Sequence, residues 1–191
     1  MLQAGDPLPA GAPEGAGSED RRLAVFDELV AGLAARVEPA YFQADGWLEQ
    51  TRAGLIELLR FCDERPEAVR ELVIDSIAWA PEVLRRRGQL LDTLAAALDR
   101  GRADSQAGAL PPATAENLVG ACISLVHTRL LQAEDGSFLE LAPSLMSMIV
   151  HPYLGPAAAK RELGRPLVGA DRGPAKRDSD RHVARVRAKS D

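Results

Sequence analysis

The sequence predicts an all-α protein, a helical bundle of about six main helices, and three observations carry that expectation. Apolar residues recur at three- and four-residue spacing through most of the chain. Leu and Ala dominate a hydrophobic content of 46% while aromatic residues reach only 4%, a helical composition. No stretch alternates as a strand would, and no internal repeat is present. The 191 residues fit one domain with tails.

Met1 to Gly17 are Ala-, Gly- and Pro-rich without a period, too poor in apolar surface to offset ordering, and read as a disordered tail. The folded domain spans residues 18–163. From Arg21 to Val37, Val25, Phe26, Leu29, Val30, Leu33 and Val37 share one helical face, and Pro39 with Asp45-Gly46 is expected to end this helix. Trp47 to Cys62 forms a second helix, with Leu48, Leu55, Ile56, Leu58, Leu59 and Cys62 on its apolar side. Pro66 opens a third, expected to run through Val69, Leu72, Val73, Ile74 and Ile77 to Trp79. Pro81 opens a fourth with Val83, Leu84, Leu90, Leu91, Leu94 and Leu98 inward. The loop from Gly101 to Leu110 leads to a helical hairpin over Pro111 to Leu154.

That hairpin organises the chain. The run ending at Leu131 and the run from Phe138 to Leu154 are each about 25 to 30 Å long, and the short polar break makes them antiparallel neighbours. Ser137 and Glu140 have capping-box spacing at the start of the second. Both are apolar on two sides. Leu118, Val119, Cys122, Ile123, Leu125, Val126, Leu130 and Leu131 cover more than half of the first helix. Phe138, Leu141, Leu145 and Ile149 form one stripe on the second, and Leu139, Met146, Val150 and Tyr153 form another. A helix packed on one side needs a single stripe. A second subunit fits this pattern; so does a central hairpin in a monomeric bundle. Gly155-Pro156 breaks the last helix, and Ala157 to Leu163 adds a short one.

Residues 164–191 form a basic disordered tail of eight Lys/Arg against four acids. That excess of four leaves the remainder at −9 within a total of −5. Such a tail is either simply solvated or touches nucleic acid weakly and in a salt-sensitive way. Cys62 and Cys122 read as buried free thiols of a reducing compartment, no apolar run reaches membrane length, and the expected location is cytoplasmic. No catalytic constellation stands out: His127, His151 and His182 lack metal spacing, and no phosphate loop or nucleophile elbow occurs. An enzyme is not expected, nor a cofactor or metal. Asp75, beside Ser76 and Trp79, is either a polar contact in a pocket or an exposed helix acid, and Arg85-Arg86-Arg87 reads as a solvated face.

Several segments resemble the regulatory half of TetR-family transcriptional regulators. They are Leu55 to Phe61 followed by Arg65-Pro66-Glu67-Ala68, Pro111 to Gly120, Leu141 to Met146, and Pro152 to Ala158. The resemblance covers about residues 18–163. It implies a bundle whose last two long helices pair with those of a second subunit as a four-helix bundle, and whose earlier helices enclose a pocket for a small apolar effector. The family's three-helix DNA-binding unit has no counterpart here, since Ser18 to Leu23 looks like the sequence just after it.

The expectation is a small-molecule-sensing and dimerisation domain of a TetR-like regulator without its own DNA-binding head, a homodimer with no sequence-specific DNA binding by this chain alone. The alternative is a structural module forming mixed dimers with a full-length regulator, or a truncated gene product. A pocket among the second to fifth helices would be lined by Trp47, Phe61, Trp79, Leu94, Cys122 and His127. The subunit interface would use Leu118, Gly120, Ala121, Ser124, Leu125, Leu145, Met146, Ile149 and Tyr153.

Overall fold

The computed structural model describes residues 16–78, 81–105, 110–132 and 136–166. These are predominantly helical, without strands: α1 (Ala16–Gln43), α2 (Gly46–Glu64), α3 (Pro66–Val73), α4 (Pro81–Asp99), α5 (Thr114–Gln132) and α6 (Ala142–Leu163), with 3-10 turns at Asp75–Ala78, Arg100–Asp104 and Phe138–Leu141. The all-α expectation holds. Most of both tails, and Trp79, lie outside the described residues.

Four local expectations need correction. Pro39 does not end α1, which continues to Gln43. Proline removes the N–H that would otherwise donate to the Ala35 carbonyl. Both residues are exposed, so that carbonyl turns to water and the helix survives. The third helix stops at Val73, and the chain tightens into the Asp75–Ala78 turn, where buried Ser76 donates to the Leu72 carbonyl at 2.7 Å. The last long helix begins at Ala142, not Phe138. Finally, the cap before it comes mainly from another helix. Asp63, at the end of α2, accepts from the Phe138 N–H at 2.6 Å and the Ser137 hydroxyl at 2.6 Å. Ser137 itself accepts from the Leu139 N–H at 3.1 Å.

α5 and α6 run antiparallel as expected. Leu118 and Cys122 pack with Ile149 and Tyr153, and Val126 with Leu145. Both stripes of α6 are covered within the chain. Leu145 shares a cluster with Leu59 and Phe61 of α2 and Val69 of α3. Met146 and Val150 are covered by Ala158, with Leu48 and Leu55 of α2 beside them. Ala158 reaches them because Gly155 (φ 79°) reverses the helix path at a conformation that side chains other than glycine's rarely adopt. Arg52 of α2 fixes the segment after this break with a bidentate pair to Glu162, Nε to Oε2 at 3.0 Å and a terminal nitrogen to Oε1 at 2.6 Å. Both side chains are buried, and the remaining Arg52 nitrogen meets Glu49.

Candidate functional site

The described residues line a half-open apolar cavity of about 340 Å³ between the helices of the bundle. Its floor comes from α2, with Thr51, Leu55, Leu58, Leu59 and Cys62, and from Cys122, Val126 and Ile149 of the hairpin. Its walls are α1 and α4. These two helices run parallel and are pinned at both ends. Near their starts Phe26 packs with Val83 and Leu72, and Asp27 faces Arg86 at 3.7 Å. Near their ends the Arg100 guanidinium lies 5.7 Å from the Tyr41 ring centre and donates to its hydroxyl at 3.5 Å. Between the pins, Val30, Ala34 and Val37 face the cavity from one side, and Leu90, Leu94 and Ala97 from the other.

The void is a consequence of residue size and spacing. Ala95 of α4 meets Ala115 and Val119 of α5 closely, because two alanines allow near approach. That contact commits α4 to α5. Trp47 props the opposite corner: its indole N–H donates to the Ala97 carbonyl at 3.3 Å and its ring stands edge-on to Tyr153, centroids 4.9 Å apart. The ring rests on Gly101, where any Cβ would overlap it. The side chains left to fill the middle are too few.

Of the expected lining residues, Phe61, Leu94 and Cys122 reach the cavity. Trp47 does not; it is a corner post of the core. His127 follows Val126 on α5 and stands outside the lining, as does Asp75. Trp79 lies outside the described residues. The pocket extends beyond the second-to-fifth-helix boundary, since α1 is a full wall. Sequence reasoning also missed the polar groups. Tyr41, Glu38, Arg100 and Arg87 belong to the lining, and so does Thr51, whose buried hydroxyl has no hydrogen-bond partner among the described residues.

Arg87 was legible. Consecutive helical residues point in different directions, and Glu82 takes Arg85 by (i, i+3) spacing and reaches Arg86 at 3.6 Å. Arg86 also faces Asp27. The third arginine of the run is the one that turns inward. Burial pushes the Cys62 thiol up to about 12, with the neighbouring Asp63 charge adding to it, and the Cys122 thiol up to about 11. Both cavity cysteines are therefore weak nucleophiles. Among the described residues, no three of His, Cys, Asp and Glu gather as a metal site.

The expected interface residues divide. Leu145, Met146, Ile149 and Tyr153 are buried by their own chain, each 2% exposed or less. They are therefore not free to face a partner. Gly120, Ser124 and Leu125 are exposed on the outer side of α5, with Leu118 and Ala121 half-buried beside them. No described helix is long and apolar enough to cross a membrane. No family model, curated protein or solved structure matches this chain.

Proposed function

We propose that this chain is a small-molecule-sensing and dimerisation domain of TetR type, which binds an apolar effector between α1 and α4 and performs no catalysis. The observation that carries the reading is the central cavity. Close-packed interiors leave few voids larger than a water molecule, and 340 Å³ falls within the range of small-molecule sites. The test is thermal unfolding of the full chain against a broad panel of hydrophobic metabolites. A ligand that binds only the folded state raises the melting temperature by mass action. A panel that shifts nothing, together with a crystal structure showing the space filled by side chains, overturns the reading.

Dimerisation belongs to the same proposal, with α5 as the contact. Its exposed side carries Asn117, Gly120, Ser124, Leu125, Thr128 and Leu131, with Glu116 as a charge at its edge. A Cβ added at Gly120 meets nothing within 4 Å, so its small size serves no internal packing. Helices approach closely across small residues, and a standard interface buries about 1,600 Å². Light scattering at micromolar concentration should give twice the 20.5 kDa chain mass, and Gly120→Arg should halve it. A monomeric native chain removes the dimer from the proposal. The same α5 face supports a second reading, a module that forms mixed dimers with a full-length regulator. Subunit exchange with such a regulator by a chain that retains no ligand would favour it.

A further inference from the structure

The cavity wall is apolar inside and charged at its rim, and the rim charges are unevenly placed. Toward the Tyr41 end the lining carries both signs: Glu38 lies one turn before Tyr41, and Arg100 sits over the Tyr41 ring. Toward the other end it carries Arg87. The neighbouring carboxylates there are engaged, Glu82 with Arg85 and Arg86, and Asp27 with Arg86. Arg87 has no ion-pair partner among the described residues and is only half exposed. Burial keeps the Cys62 and Cys122 thiols of the lining neutral at physiological pH. The rim therefore carries two arginines, Arg87 and Arg100, and one glutamate, Glu38, an excess of one positive charge.

Resting on the ligand-binding reading above, we propose that the ligand is an apolar monocarboxylic acid, its chain in the cavity and its carboxylate on Arg87. A guanidinium presents a planar fork that matches a carboxylate with two parallel hydrogen bonds. A single anion completes the charge of the wall, whereas a dianion would exceed it. A cavity of about 340 Å³, at the roughly 30 Å³ that one water takes up in the liquid, takes a molecule of about a dozen non-hydrogen atoms. Decanoic acid has that size.

The experiment compares decanoate, 1-decanol and decylammonium, titrated calorimetrically into the full chain at neutral pH and below their aggregation concentrations. Decanoate should bind about tenfold or more tightly than 1-decanol, the usual worth of a charged hydrogen bond, and decylammonium the weakest. Arg87→Gln should remove that advantage and leave 1-decanol binding unchanged; Arg87→Lys should restore part of it. Equal binding of decanoate and 1-decanol by the native chain overturns the carboxylate assignment and leaves the ligand site standing. So does loss of the advantage in Arg100→Gln but not in Arg87→Gln. If none of the three binds, this assignment falls, and the broad metabolite panel decides the ligand-binding reading separately.

Discussion

The two sides of α2 have similar side chains and opposite outcomes. On the α6 side Trp47, Ile149 and Tyr153 interlock, and Met146 and Val150 close against Ala158, all with almost no exposed surface. On the α1–α4 side, Leu, Val and Ala again dominate, yet a cavity remains. Composition does not separate the two. The difference lies in what the covering elements are attached to. The segment after Gly155 is free to fold back until it touches, and the Arg52–Glu162 pair then holds it. α1 and α4 are fixed at both ends, at Phe26–Val83 and Arg100–Tyr41, and cannot close over the middle. A chain packs densely where one end is free to adjust, and stays hollow where both ends are committed.

Breaking the closed side should have the largest effect. Glu162→Ala takes the bidentate partner from the buried Arg52 guanidinium and leaves it Glu49 alone, so the loss falls at the low end of the about 3–5 kcal/mol that breaking a buried pair costs. Urea unfolding of the variant should show a loss of that order. A loss below about 1 kcal/mol would mean that the pair is hydrated and does not clamp the segment. The next effect sets the two sides against each other. Met146→Ala removes a fully packed side chain and should cost about 3 kcal/mol. Leu94→Ala only enlarges a space already empty, so about half that cost is expected. Equal costs would contradict the hollow–packed distinction.

A smaller effect comes from the cavity thiols. Their ordinary value is 9.0, and burial raises Cys62 to about 12 and Cys122 to about 11. A raised folded value means that the neutral thiol favours the folded state. The contribution is complete below pH 9 and is lost as pH rises toward the folded values. By about pH 10 each thiol should withdraw about 1 kcal/mol. Cys62→Ala and Cys122→Ala chains, followed by denaturant unfolding at about pH 8 and about pH 10, should each show a shallower alkaline decline than the native chain. An identical decline would place those thiols in contact with water.

How much of this was legible follows the same physics. Helical spacing and Pro66 and Pro81 at helix starts were enough for the bundle, since these are local signals. So was the break at Gly155. The width of the apolar surface on α6 required two covers but did not say which. A short return segment supplied by the same chain was the answer, and its signal was the run of small residues Ala157-Ala158-Ala159 beyond a glycine. Asp63 as the cap for Phe138 was invisible, because it lies 75 residues away. Trp47 was misplaced for a similar reason: an indole at a helix start suits a pocket or a corner post equally, and the decision is made by Gly101, far along the chain. Of the cavity residues, those on α1 were missed because their spacing fits a filled core equally well.

The most direct measurement is a calorimetric titration of 1-decanol, a neutral ligand, into the native chain and into Leu94→Trp, with circular dichroism showing both folded. Leu94 lines the cavity from the α4 wall, and the longer, flat indole would project across it. The account requires saturable binding of one molecule per native chain and its loss in the variant. No saturable binding to the native chain, or undiminished binding to Leu94→Trp, would contradict the claim that the space between α1 and α4 is a ligand site.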